Sequence, residues 1–104
     1  MPNVEEILRK ANLLASRCAG DGVPDNLLSL VLSHLRRHRN VKATLKLVQD
    51  LPGSPFAART HQTKPQFLKL RKHVTVVLSP SQDWEEAAWI VGWARRLARS
   101  HGGG

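Results

Sequence analysis

The segment DWEEAAWIVGWARRLAR, residues 83–99, decides the fold class because its apolar residues repeat at helical spacing. Glu85 and Glu86 stand in the first turn and arginines stand in the last, which matches the helix dipole at both ends. Asp83 with Glu86 is typical of a capping box. We therefore expect a helix from about Trp84 to His101, with an apolar arc wider than one core requires.

The remainder of the chain has the same helical pattern, and its β-branched residues are too few to build a sheet. Apolar residues repeat from Val4 to about Cys18, and the segment 27–35 is apolar on nearly every side, which predicts a central helix. A third helix is expected after Asn40, where the left-handed conformation common at helix ends would break the chain, and Pro52 ends it.

A fourth helix is expected after Thr63, and its buried stripe consists of Phe67, Leu70, Val74, Val77 and Leu78. Residues 73–78 also have the composition of a strand, but a single strand has no partner here. The sequence therefore predicts an all-α fold, a compact bundle of about five helices. Residues 1–101 form one domain in this prediction, and residues 102–104 form a flexible glycine tail.

Composition limits the class of protein. A chain of 104 residues forms one domain, and 41% hydrophobic residues favour folding over disorder. Cys18 is the only cysteine, so an intrachain disulfide is impossible. The apolar runs are too short to span a bilayer and the N-terminus is acidic where a signal peptide would be basic. We expect a soluble, cytoplasmic protein without a membrane partner.

The positive charge is concentrated in one part of the chain. Ten of the sixteen Lys and Arg residues lie within residues 34–73, which contain one acid, Asp50. This stretch alone has a formal charge of +9, while the whole chain has +8. Because such a stretch repels itself, a polyanion is the simplest partner, with nucleic acid as the first hypothesis and a lipid surface as the second.

The basic residues fall into groups that suit phosphate, since Arg forms a planar fork and Lys a mobile point charge. One group lies around Asn40, another around Lys69, and the rest lie on the irregular segment between them. The predicted nucleic-acid-binding residues are Arg36, Arg37, Arg39, Lys42, Lys46, Arg59, Lys64, Lys69, Arg71 and Lys72. An ordinary solvated face is the alternative interpretation. The five histidines are expected to add phosphate donors as the pH falls below about 6.5.

Base recognition is expected to be weak. The side chains suited to base edges, Asn40, Gln49, Gln62 and Gln66, are few, so shape or backbone recognition is expected. Tyrosine is absent and the phenylalanines occupy positions that predict core. The sequence therefore disfavours single-strand platforms built from exposed aromatic rings on the basic surface.

Trp89 and Trp93 lie one turn apart at the edge of the wide arc, with Arg96 beside them. They are either core residues or a protein–protein contact, because Trp and Arg are enriched among interface anchors. Base stacking is the third interpretation.

No catalytic, cofactor or metal motif is present. His34 and His38 have the i, i+4 spacing of a metal pair, but nearby arginines would repel a cation and no third ligand is evident. Cys18 has no identifiable base beside it, so a buried thiol is expected. The sequence predicts a protein that is not an enzyme and has neither a cofactor nor a small-molecule substrate.

With its helix order and the closing segment at residues 83–99, the chain resembles the small helical-bundle subunits of CRISPR RNA-guided effector complexes. The resemblance implies a non-catalytic subunit, present in several copies, that contacts the guide–target duplex or the displaced strand. Guide RNA and target DNA or RNA would be its nucleic-acid partners, and Trp89 and Trp93 would contact other subunits or copies of itself. The guide would supply sequence specificity.

Two other classes remain open. A free-standing DNA-binding regulator or architectural protein could use the helices around Asn40 as a helix-turn-helix, although the usual glycine in the turn is absent. A helical protein-interaction adaptor would use the same charge to contact an acidic protein.

Overall fold

The structure, a computed structural model, describes residues 4–51 and 64–102, with side chains described for residues 4–51 and 65–98. Five helices cover most of this part of the chain: α1 Val4–Gly20, α2 Asp25–His38, α3 Val41–Asp50, α4 Lys64–Val77 and α5 Trp84–Gly102. The all-α prediction is confirmed, and the Cα radius of gyration of 12.6 Å is that of a compact bundle. Of residues 73–78, which have the composition of a strand, residues 73–77 continue α4 and Leu78 follows its end.

The predicted stripe of α4 is buried throughout, from Phe67 to Leu78. Gly102, expected in the flexible tail, is the last residue of α5. The cap at Thr63 and residues 103–104 lie outside the described residues.

Each helix has its main contacts with two others, so α2 is not more central than the rest, and the most extensively packed helix is α5. It makes its most extensive contacts with α1 and then with α2, whereas α2 packs on α5 and α3. Three alanines, Ala87, Ala94 and Ala98, are buried along α5 together with larger apolar residues. Small side chains allow close approach of neighbouring helices, so the wide arc of α5 accommodates two of them.

Helix α2 runs antiparallel to α5. Three pairs of neighbours occur in opposite order along the two helices: Ser29 with Arg95, Leu32 with Gly92, and Arg39 with Trp84. The C-terminal end of α2 therefore lies beside the first turn of α5, and this arrangement brings the basic end of α2 to the tryptophans.

The turn between α2 and α3 consists of Arg39 and Asn40. Arg39 is left-handed, with φ of 51° and ψ of 39°, and its N–H donates to the carbonyl of Leu35 at 2.8 Å. Asn40 is extended, and its Oδ1 accepts from the N–H of Ala43 at 3.0 Å. The left-handed conformation thus falls one residue before the expected Asn40, because the Asn40 side chain caps α3.

Candidate nucleic-acid interface

The basic turn, defined as Arg36, Arg37 and Arg39, is exposed at the junction of α2 and α3. The ion pairs within the described residues join Glu6 to Arg9 and Lys10, and Asp21 to His73. No carboxylate in this part of the chain therefore neutralises the basic turn, and its guanidinium groups remain available to an external anion.

A partly buried chain of hydrogen bonds holds the two helices at this junction. The Thr44 hydroxyl donates to the carbonyl of Asn40 at 3.1 Å and accepts from Nδ1 of His34 at 2.7 Å. The imidazole ring of His34 also lies against that of His38, with centroids 4.2 Å apart. Burial lowers the pKa of His34 below its ordinary value, and the charges of His38 and Arg37 add to this effect. His34 is therefore a neutral structural residue rather than a phosphate donor.

A groove of about 630 Å³, with Leu45, Leu78 and Pro80 among its lining residues, separates α3 from the end of α4 and the loop after it. We call it the α3–α4 groove. Its donors and acceptors are Asn40, Lys42, Lys46, Gln49 and Thr75, and Asp50 is its one acid. The groove thus brings together two predicted phosphate ligands, Lys42 and Lys46, and two of the four side chains suited to base edges, Asn40 and Gln49.

A second groove, of about 400 Å³, lies between α2 and α5. This α2–α5 groove has a floor of Leu32, Ala88 and Gly92. Its remaining lining residues are Arg36, Arg95, Arg96, Trp84, Trp89, Trp93 and the single acid Glu85. Ala88 and Gly92 have no side chain beyond Cβ, so the space above them is left open.

The tryptophans of α5 lie on the basic surface, which corrects the expectation that this surface lacks exposed aromatic rings. Trp89 is 56% exposed and Trp93 is 36% exposed, so neither is a core residue. The guanidinium carbon of Arg96 lies 5.4 Å from the ring centroid of Trp93. The apolar arc of α5 was wider than one core requires, and this width was the signal in the sequence for exposed rings. Helices α1 and α2 cover only part of the arc and leave the rest exposed.

The predicted group of Lys69, Arg71 and Lys72 does not form one site. Lys69 donates through Nζ to the carbonyl of Asp21 at 3.3 Å, at the end of α1. Arg71 lies one turn before Thr75, whose hydroxyl donates to the Arg71 carbonyl and which lines the α3–α4 groove. The charge of Lys72 acts on Asp21 together with that of Lys69, so these two residues, one turn apart on α4, both lie near the end of α1.

His73 is another histidine that is not a phosphate donor. It is 4% exposed, accepts at Nδ1 from Nε of Arg17 at 3.2 Å and donates from Nε2 to Oδ2 of Asp21 at 2.5 Å. The hydrogen bond from His73 is the main cause that lowers the pKa of Asp21, and the charges of His73, Lys69 and Lys72 lower that pKa further. The cluster joins α1 to α4 and is a structural contact between them.

Two predicted nucleic-acid ligands have side chains outside the described part of the chain. Arg59 lies outside the described residues, as do Gln62 and His61. Lys64 begins α4, but its side chain lies outside the described part. Gln66 lies away from the grooves, where its Nε2 donates to the carbonyl of Gly22 at 3.4 Å.

The other candidate chemical groups were Cys18 and a metal site. Cys18 is fully buried, and burial raises the pKa of its thiol to about 12, so it is not a thiolate nucleophile at neutral pH. The described residues contain no group of three or more His, Cys, Asp or Glu side chains placed to hold a metal ion.

Within the described ranges, no helix combines the length and hydropathy that a membrane span requires. Comparisons with protein-family models, with curated proteins and with solved structures found no match.

Proposed function

We propose that this protein is a non-catalytic nucleic-acid-binding subunit that contacts phosphates through the surface around the α2–α3 junction. One observation carries the proposal. Arg36 lines the α2–α5 groove, and Asn40, four residues later, lines the α3–α4 groove. The basic turn therefore lies between the two grooves, and we propose that a polyanion runs across it from one groove to the other.

The charge balance of this surface supports a polyanion rather than an ordinary solvated face. Lys42 and Lys46 lie on one side of the basic turn and Arg95 and Arg96 on the other, while each groove contains one acid. Acids normally interspersed among surface cations would reduce the attraction for phosphate. Their scarcity here favours binding through several phosphate contacts at once.

Recognition through the α3–α4 groove is proposed to be independent of sequence. Asn40 already uses its Oδ1 as the cap of α3, which hinders a two-atom contact with adenine, so Gln49 is the amide in this groove best placed to make one. A surface with several phosphate ligands and one base reader holds a backbone and selects little.

The biological setting that we propose is a CRISPR RNA-guided effector complex in the cytoplasm, where the protein would serve antiviral defence. Its partners would be the guide–target duplex or the displaced strand, other subunits and copies of itself. In such a complex the guide supplies sequence specificity, which suits a subunit that binds backbone. The exposure of Trp89, Trp93 and Arg96 is compatible with their predicted role as contacts to neighbouring subunits, and it is equally compatible with the stacking of bases on the tryptophan rings.

The setting is tested by recovering the tagged protein from its native cells and sequencing the RNA that accompanies it. We expect guide RNAs carrying repeat-derived ends, together with larger protein subunits. A recovered protein without RNA, or with RNA that mirrors the total cellular pool, would contradict the CRISPR setting. A footprint in which the protein protects a defined palindromic DNA site would instead favour the free-standing DNA-binding regulator.

A further inference from the structure

We propose that the α2–α5 groove binds the bases of single-stranded nucleic acid, with the exposed ring of Trp89 as the stacking platform. This inference rests on the proposed function, because it starts from a surface proposed to bind phosphates. It adds that the nucleic acid is single-stranded and that its bases, as well as its phosphates, contact the protein. Base stacking on aromatic rings tolerates any sequence, since every base has a π face.

Trp89 has the ring most open to a ligand. Arginines lie over the other two tryptophan rings, Arg39 over Trp84 and Arg96 over Trp93, and none within the described residues lies over Trp89. Trp89 is also the most exposed large hydrophobic residue of α5, at 56%. An exposed indole without a ring partner offers its face to a base.

The arginines of the groove are placed to hold the backbone of such a strand. Arg36 approaches from α2, and Arg95 is held by its Nη1, which donates to the hydroxyl of Ser29 at 3.2 Å. Trp84 and Arg96 both line the groove and are twelve residues apart, so the groove extends along about 18 Å of α5. Its volume of about 400 Å³ lies in the range of pockets that enclose small ligands.

Continuity with the basic turn favours a nucleic-acid strand over an acidic protein as the occupant. Arg39 lies over Trp84 at one end of the groove and directly precedes Asn40, which lines the α3–α4 groove. A strand that places phosphates on Lys42 and Lys46 therefore reaches the tryptophans without leaving the basic surface. The combination of aromatic faces and guanidinium groups along one path is typical of single-strand binding.

The test compares two probes of equal length, an oligothymidylate of about 12 nucleotides and an abasic strand with the same phosphates. We expect the full chain to bind oligothymidylate about 5- to 150-fold more tightly for each stacked base, with quenching of tryptophan fluorescence. Trp89→Ala should remove this preference and leave the affinity for the abasic strand unchanged. Trp89→Phe, the matched control, should retain part of the preference.

A second variant addresses the groove rather than the ring. Gly92→Met fills the floor but leaves Trp89 and the arginines in place, and Met favours a helix more than Gly does, so folding should be maintained. We expect it to reduce the preference for oligothymidylate while circular dichroism stays unchanged.

Each contrary result identifies what has failed. Equal affinity of the unmodified protein for the two strands would overturn the groove inference and leave phosphate binding intact. Absence of binding to duplex, oligothymidylate and abasic strand at low salt would overturn the proposed function, and the inference with it. If Trp89→Ala abolished self-association without changing the strand preference, the groove would be a protein contact and the inference would be wrong.

Discussion

The guanidinium group of Arg39 lies over the indole ring of Trp84, with 5.6 Å from its central carbon to the ring centroid. The contact joins the end of α2 to the start of α5. Arg39 is also the one non-glycine residue with positive φ in the described part of the chain. A left-handed conformation costs an L-residue about 1 kcal/mol, and an exposed cation–π contact contributes about 0.5–1 kcal/mol. The contact with Trp84 therefore largely offsets the backbone cost at Arg39.

This balance predicts different effects for two substitutions at one position. Arg39→Gly loses the ring contact but relieves the backbone cost, so the free energy of unfolding should change by less than about 1 kcal/mol. Arg39→Ala loses the contact and keeps the cost, so it should be less stable than Arg39→Gly by about 1 kcal/mol. Urea unfolding followed by circular dichroism measures both, and an alanine variant as stable as the glycine variant would contradict the account.

Gly92 and Gly22 should respond in opposite directions to alanine. A Cβ at Gly92 would lie 3.9 Å from Cδ2 of Leu32, an ordinary contact, and alanine favours a helix by about 1 kcal/mol over glycine. Gly22 has φ of 72°, which strains any side chain. We expect Gly92→Ala to raise the urea midpoint and Gly22→Ala to lower it. A lower midpoint for Gly92→Ala would mean that α2 and α5 pack more closely than described.

The exposed tryptophans should contribute little to stability. Trp89→Ala combined with Trp93→Ala should leave the helical circular dichroism signal intact and lower the free energy of unfolding by less, for each ring removed, than Phe67→Ala. The phenylalanine is fully buried, and its truncation should cost about 3–5 kcal/mol. Unfolding of the double tryptophan variant under native conditions would show that these rings belong to the core.

His34 should make stability depend on pH. Its pKa is lowered in the folded protein by burial and by His38 and Arg37, so the unfolded chain takes up the proton first as the pH falls. The contribution of neutral His34 is complete above about pH 6.5 and is lost as the pH falls from there through the lowered pKa. His34→Asn keeps a donor for Thr44 without titrating. The unfolding midpoint of the variant should therefore fall less than that of the unmodified protein between pH 7.5 and 5. Equal losses in both proteins would contradict the assignment.

Local periodicity was enough to predict the helices and their buried stripes. Phe67 and Leu70 recur at helical spacing, and that spacing alone determines which side of α4 is apolar. The surface could not be derived in this way, because the exposure of a face depends on which distant helix covers it. His73 is buried by α1, and Trp89 is exposed because α1 and α2 cover other parts of α5.

The grouping of charges shows the same limit. Lys69 and Arg71 are two residues apart in the sequence, yet Lys69 contacts the end of α1, while the Arg71 carbonyl accepts from Thr75, which lines the α3–α4 groove. Arg39 and Trp84 are distant in sequence and in contact in the structure. Charge counted along the chain was therefore enough to suggest a polyanion partner. The shape of the charged surface could not be derived in this way, because it depends on how α2 packs against α5.

The most direct test of the central claim, that phosphates are bound at the α2–α3 junction, is the salt dependence of duplex binding. The test compares Lys42→Ala/Lys46→Ala with Arg9→Ala/Lys10→Ala, which removes the same charge from residues paired with Glu6 on α1. We expect the first variant to lower the slope of log affinity against log salt by about 2, at about 0.9 per phosphate contact, and the second to leave it unchanged. Equal slopes in the two variants would contradict the claim.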